Sequence, residues 1–209
     1  MTNLLHIEAS PRKERSHSIA VARAFIEAYR EANPRDVVKT LDLWDHTLPE
    51  FDGDAIDAKY AVMHGVEHSP EQAAAWETVK AECRRIAEAD KLLFSVPMWN
   101  FGIPYKLKHF IDVVTQPGIA FTVTPGGGYQ GLITGKPALV IYSSGGQYAE
   151  GSPTHPYDHQ KPYFENWLRF IGLTGIRTLV VAPTLASADV VGSVRAATID
   201  QARQLAREF

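Results

Sequence analysis

The sequence predicts an α/β domain built on a doubly wound, five-stranded parallel sheet with helices on both faces. Three observations carry that expectation. Five apolar runs of strand length alternate with stretches whose apolar residues recur at helical spacing. The 209 residues suit one domain, 1–209, and show no internal repeat, low-complexity tract or interdomain linker. Between Leu92 and Val114 an apolar run, a proline-bounded loop and an amphipathic stripe follow one another as a strand–loop–helix unit.

The elements follow in order. Leu4 to Ile7 reads as the first strand, and a polar loop runs from Glu8 to Ser18. Ile19, Ala22, Phe25, Ile26 and Tyr29 mark a helix ending near Asn33 and Pro34. Val37 to Leu43 is the second strand. From Trp44 to Pro70 periodicity fades into an irregular excursion with one short helix around Ala55 to Met63. A long helix spans about Glu71 to Ala89, with Ser69 as its N-cap. Leu92, Leu93, Phe94 and Val96 form the third strand, which Pro97 stops. Pro104 stands in the first turn of the next helix, whose stripe is Leu107, Phe110, Ile111 and Val114. Phe121 to Thr134 is a glycine-rich excursion. Ala138 to Tyr142 is the fourth strand, and Tyr163, Trp167, Phe170 and Ile171 mark a helix closed by Gly172. Thr178 to Ala182 is the fifth strand. Val191, Val194, Ala202 and Leu205 mark a C-terminal helix.

Composition excludes several classes. A net charge of −3 without a basic run argues against nucleic acid as a partner. The N-terminus lacks a signal-peptide pattern and no apolar run is long enough for a bilayer, so a soluble, cytoplasmic protein without a membrane partner is expected. The single cysteine, Cys83, shares a helical stripe with Trp76, Val79 and Ile86 and reads as a buried thiol. His64 to His68 matches H-x-x-E-H, but Gly65 weakens the helix that zinc ligation needs and Ser69-Pro70 ends it. No metal is expected there. His155, Asp158 and His159 sit in a proline-rich loop that reads as a lid instead of a metal site.

The site is expected where three unusual loops meet. Doubly wound sheets bind ligands at the carboxyl ends of their strands, at the point where strand order reverses. Two orders apply to five strands, flavodoxin-like and Rossmann-like, and the absence of G-x-G-x-x-G weakens the second. The flavodoxin-like order, 2-1-3-4-5, brings the loops after strands 1, 3 and 4 to one crevice. The first holds Ser10, Ser16 and Ser18 with Arg12, Lys13 and Arg15 ahead of a helix N-terminus, a setting that favours a phosphomonoester. One serine would suffice for capping. The second holds Met98, Trp99 and Phe101 around the polar Asn100, with Gly102 permitting close approach. Bulky apolar loops of this kind cover a flat hydrophobic object or another chain. The third, Ser143-Ser144-Gly145-Gly146-Gln147-Tyr148, brings backbone N–H groups towards a planar heterocycle or forms a tight turn.

These residues resemble the FMN-dependent NADH:azoreductase and quinone reductase family of the flavodoxin-like superfamily, over nearly the whole chain. The likeness rests on Pro97 to Phe101, Leu107 to Asp112, Gly118 to Phe121, Gly131 to Lys136 and Ser143 to Gly146. It implies one FMN per subunit, with Ser10, Ser16, His17 and Ser18 on the phosphate. Pro97, Met98, Trp99, Asn100, Phe101, Ser143, Ser144, Gly145 and Gly146 would flank the isoalloxazine. It implies NAD(P)H as electron donor and small aromatic acceptors, quinones and azo compounds, with Trp99, Phe121 and Tyr148 around the acceptor. Hydride transfer through flavin N5 requires no catalytic side chain. The resemblance also implies a homodimer whose pockets are completed by the partner, with Phe121 as a gate. Trp99 replaces the tyrosine of many members, and Ser144 the arginine of some. The rival class is a flavodoxin-type electron carrier without NAD(P)H-dependent turnover.

Overall fold

The computed structural model of the chain describes residues 1–67 and 69–209. Its five-stranded sheet is parallel, with the third strand at its centre. β1 (Asn3–Glu8) lies between β2 (Val37–Asp42) and β3 (Lys91–Pro97). β6 (Ala138–Ser143) follows, then β7 (Ile176–Val181), for the order β2-β1-β3-β6-β7. This is the expected 2-1-3-4-5 order. A short antiparallel hairpin of β4 (Phe121–Val123) and β5 (Tyr129–Gly131) stands apart from it.

Among the described residues six α-helices surround the sheet. α1 (His17–Ala32) and α6 (Ala188–Arg207) pack on one face. α3 (Pro70–Glu88), α4 (Tyr105–Val114) and α5 (Lys161–Phe170) pack on the other, and α2 (Gly53–His64) lies against α3. Both faces are dry because the central strands alternate apolar residues to each side. Leu92, Phe94 and Val96 enter the α3–α5 core while Leu93 enters the α1–α6 core. Each fully buried side chain of this size contributes about 1.5–3 kcal/mol. Cys83 sits in the first core with Trp76, Val79 and Ile86, and burial pushes its thiol up to about 12.

Local chemistry fixes the helix ends. Ser69 caps α3 through a capping box with Gln72, and Ser16 caps α1 by accepting from Ile19 N–H. Pro104 proves to be the N-cap of α4, one residue before its first turn. His64 closes α2 and Gly65 takes a φ of 65°; His68, the second histidine of the H-x-x-E-H match, lies outside the described residues. Among the described residues no helix is long and apolar enough to cross a membrane.

One buried polar pair lies under the first loop. On the α1–α6 side, His6 of β1 stands 2.7 Å from the Ser95 hydroxyl of β3 through Nε2. Burial, and then Arg23, lower its imidazole to about 3. The folded chain therefore holds His6 neutral while the unfolded chain protonates it below about pH 6.5. Stability should fall as pH drops through the window from 6.5 towards 3, with a limiting slope of about 1.4 kcal/mol per pH unit. Urea unfolding at stepped pH checks this, and His6→Gln should flatten the slope.

Candidate functional site

The three loops do meet at the carboxyl ends of β1, β3 and β6. Ser10, Arg12, Ser16 and His17 from the first loop face Pro97, Met98 and Trp99 from the second. Ser143, Ser144 and Gly145 from the third complete the cavity, which has a volume of about 80 Å³ and is closed by Thr184. A second cavity of about 620 Å³ opens beside it and shares Met98 and Ser144. The pair forms one bent trough, narrow and polar at the α1 end and broad beyond Met98.

The narrow end gathers buried hydroxyls at the start of a helix. Ser10, Ser16 and Ser18 are all buried, and the Ser16 and Ser18 hydroxyls stand 3.3 Å apart at the first turn of α1. There the helix offers free N–H groups and its positive dipole end. Among the described residues the buried Nδ1 of His17 has no partner. Burial, then Arg12 and Arg195, hold His17 below the ordinary imidazole value. An anion among these groups would offset that repulsion.

The loop itself is pinned on both sides. Lys13, left-handed at φ 47°, pairs with Asp42 at the end of β2 and with Asp45 at 3.1 Å. Glu14 pairs with Arg23 on α1. Lys13 is thus occupied by carboxylates, and of the three cations Arg12 is the one that lines the cavity.

The second loop holds a tight turn. Trp99 N–H donates to Gly102 O at 2.9 Å and Gly102 N–H returns to Trp99 O at 3.0 Å. The two residues between, Asn100 and Phe101, both take left-handed backbone at φ 46° and 69°. This is the conformation of a type I′ turn, which glycine normally occupies. Holding a phenylalanine there costs roughly 1 kcal/mol or more, and such strain gathers at functional sites. Among the described residues the Asn100 and Phe101 N–H groups have no acceptor. Gly102, by contrast, is not left-handed, and a Cβ there would meet Trp99 O at a relaxed 3.9 Å. The special backbone belongs to its neighbours. Trp99 leans on Trp44, with ring centroids 5.6 Å apart, so the irregular excursion after β2 supports the wall.

The third loop is held from below. Ser144 N–H donates to Val181 O at 3.2 Å, and Thr184 N–H donates to Ser144 O at 2.9 Å. The Ser144 hydroxyl donates back to Gly146 O at 2.8 Å. The Gly145 and Gly146 N–H groups have no acceptor among the described residues. Tyr148 lines the broad cavity and meets Phe101 edge-on at 6.5 Å.

Phe121 does not join this cluster. It lies on the β4–β5 hairpin against Tyr129 and Phe170, with centroids 5.7 and 4.9 Å away, and lines neither cavity of its own chain. Sequence reasoning placed Arg12 among the loop's three cations without singling it out, and missed the lining residues Thr184, Tyr142 and Glu165. The last three sit inside regular elements or a plain loop and carry no motif.

A family model described as a flavodoxin-like fold matches residues 2–206. The chain belongs to that flavodoxin-like family. The FMN-dependent NADH:quinone oxidoreductase of Nitratidesulfovibrio vulgaris (strain DP4) is 49% identical over 210 residues, covering 100% of both chains. Azoreductase from Bacillus anthracis str. Sterne superposes with a TM-score of 0.91 at 31% identity, covering 100% of both chains. An FMN-dependent NADH-azoreductase from Bacillus anthracis str. Ames Ancestor, solved in complex with FMN, has a TM-score of 0.86 at 25% identity, covering 99% of this chain and 100% of that one. As elsewhere in doubly wound folds, the family's crevice lies at the strand ends where the trough is found.

Proposed function

We propose that this chain is an FMN-dependent oxidoreductase that takes hydride from NAD(P)H and delivers it to quinones and aromatic azo compounds by a ping-pong mechanism. The observation that carries this reading is the pair of adjoining cavities, with buried serines beside the N-terminus of α1 at one end and a broad cleft lined by Met98, Tyr142 and Tyr148 at the other. The names of the full-length relatives support it.

The residues fit FMN. Ser10, Ser16, His17 and Ser18, joined by Arg12, would hold the phosphate, and the orphaned His17 nitrogen would gain a partner. Pro97 to Phe101 and Ser143 to Gly146 would flank the ring. When bound, the flavin supplies the two-electron hydride acceptor and donor. The chain supplies position and electrostatics. The free N–H groups of Asn100 and Phe101 are donors held in fixed backbone, and those of Gly145 and Gly146 would be placed to stabilise negative charge on the bound ring. Trp99 walls the narrow cavity and Tyr148 the broad one. No side chain acts as a nucleophile.

The unit is a two-fold dimer. Phe101, Tyr105, Tyr129, Tyr157 and Val123 are all exposed, an apolar and aromatic excess that soluble monomers rarely present to water. In the dimer the hairpin would carry Phe121 to the partner's cleft.

The test is direct. Protein loaded with FMN should be yellow and should bleach anaerobically on adding NADH. Steady-state rates with NADH and a quinone should give parallel double-reciprocal lines, because donor and acceptor take turns in one cleft. Quinones should turn over faster than azo dyes, whose cleavage to two amines needs two hydride equivalents. Intersecting lines would mean a ternary complex. A flavin that NADH does not bleach would mark an electron carrier.

A further inference from the structure

Trp44 stands between two of the three loops and belongs to neither. It follows β2 and lines neither the narrow nor the broad cavity. Large aromatic side chains usually serve a core. Trp44 enters neither core of this domain, although Leu43 beside it does. Its polar and apolar parts go to the two loops instead. The indole Nε1–H donates to Ala9 O at 3.1 Å, and Ala9 immediately precedes Ser10 of the narrow cavity. The ring leans on Trp99, with centroids 5.6 Å apart, and meets Tyr105 of α4 edge-on at 5.4 Å. One side chain thus touches the backbone of the first loop and the wall residue of the second.

Trp44 is itself held in place. Its backbone N–H donates to Asp42 Oδ1 at 3.0 Å, while the other Asp42 oxygen pairs with Lys13 of the first loop. The Asp45 and His46 N–H groups close the turn on Asp42 O at 3.3 and 2.9 Å. Farther along, Pro49 O accepts from His109 of α4 at 2.8 Å. The turn after β2 is therefore anchored to the sheet on one side and to α4 on the other. Ala9 is gripped from both sides as well, since its N–H donates to Ser95 O of β3 at 3.1 Å and its carbonyl takes the indole. The Lys13 pairs are partly exposed and weakened by water. The indole contact lies next to Ser10 itself, where a shift of the backbone carries directly into the cavity.

We infer that Trp44 is a positioning residue that sets the serine cradle and the Trp99 wall at the spacing of one FMN molecule, its Nε1–H acting on the phosphate end and its ring on the flavin end. The inference rests on the oxidoreductase reading given above. Holding a loop in its bound arrangement before the ligand arrives lowers the ordering cost of binding. Losing the indole N–H should therefore cost affinity at the phosphate end, and losing the ring should cost it at the flavin end.

Titration of the flavin-free chain with FMN and with riboflavin, which has the same ring and no phosphate, reads the two ends separately without turnover. Trp44→Phe keeps an aromatic face for Trp99 and removes the donor. FMN affinity should fall about tenfold, the effect of one hydrogen bond, and riboflavin affinity by less than twofold. Trp44→Leu removes donor and ring together and should weaken both flavins about tenfold or more. Thermal midpoints of the same variants read folding independently. A residue that merely supported the fold would weaken FMN and riboflavin by one common factor in Trp44→Phe, and that result would overturn the inference. Unchanged FMN affinity in Trp44→Phe would overturn it too, as would riboflavin binding indifferent to Trp44→Leu. Should Trp44→Leu fail to fold, the two titrations of Trp44→Phe decide alone. An unaltered chain that takes up neither flavin would instead bring down the oxidoreductase reading, and the role of Trp44 with it.

Discussion

Ser18→Asp should lower FMN affinity by roughly a thousandfold. Ser18 is fully buried at the second position of α1, beside the 80 Å³ polar end of the trough. A carboxylate there would share the polar end with the phosphate, and like charges about 4 Å apart repel by about 4 kcal/mol at an effective dielectric near 20. That is about three decades in Kd. The fold should lose far less. A carboxylate at a helix N-terminus is favoured by about 0.3–1 kcal/mol, and Arg12 and His17 stand at the same cavity. Ser18→Ala separates the charge effect from a lost hydrogen bond, because it should weaken FMN only about tenfold. Fluorescence-quenching titrations, beside thermal unfolding of each apoprotein, measure both quantities. Equal losses in the two variants would put the phosphate elsewhere.

The second large effect concerns the hairpin. A Cβ on Gly131 would overlap Gly172 N and Ile171 C and stand 2.5 Å from Gly172 Cα. These are backbone atoms, so no rotamer change relieves the clash. Gly172 is itself left-handed at φ 111° and ends α5, while Ile133 N–H donates to Ile171 O at 2.8 Å close by. Gly131→Ala must therefore lift β5 from α5 and part Tyr129 and Phe121 from Phe170. The cost should be about 3 kcal/mol, the upper range for overpacking, or about 10 °C in thermal midpoint for a chain of this size. Gly126→Ala is the control: nothing lies within 4 Å of its Cβ, and it should change stability by less than about 0.5 kcal/mol. Sedimentation of Gly131→Ala reads the assembly as well. If the hairpin completes the partner's cleft, the folded variant should dissociate and lose quinone turnover together; a fully active dimer would remove the shared-cleft arrangement.

Much of this architecture was legible in the sequence because periodicity and punctuation agreed. Leu92 to Val96, stopped by Pro97 and followed by the Leu107–Val114 stripe, left little choice for β3 and α4. Ser69 could be assigned as a cap because the chemistry is local. The hairpin was not legible. Its strands are three residues each, and Tyr129 and Gln130 of β5 are exposed, so no alternation marks them. The site divided in the same way. The serines of the first loop were visible as an anion cradle, whereas the left-handed pair Asn100 and Phe101 carries side chains that disguise a turn normally written with glycine.

The strand order also dictates when the molecule can assemble as it leaves the ribosome. β1 is synthesised first yet lies inside the sheet, with Asn3 opposite Val37 on one side and Leu4 opposite Lys91 on the other. Its second edge stays open while the whole of α2 and α3 is translated, and β3 then waits for Ala138. Unpaired edges of this length are templates for pairing with other nascent chains. The loop from Ser143 to Gly146 takes its position after β6, and its support from Val181 and Thr184 emerges later still. Cofactor capture therefore belongs to the closing stage of biosynthesis. Chains cut short before β7 would carry the serine-rich loop but not the cradle that makes it useful.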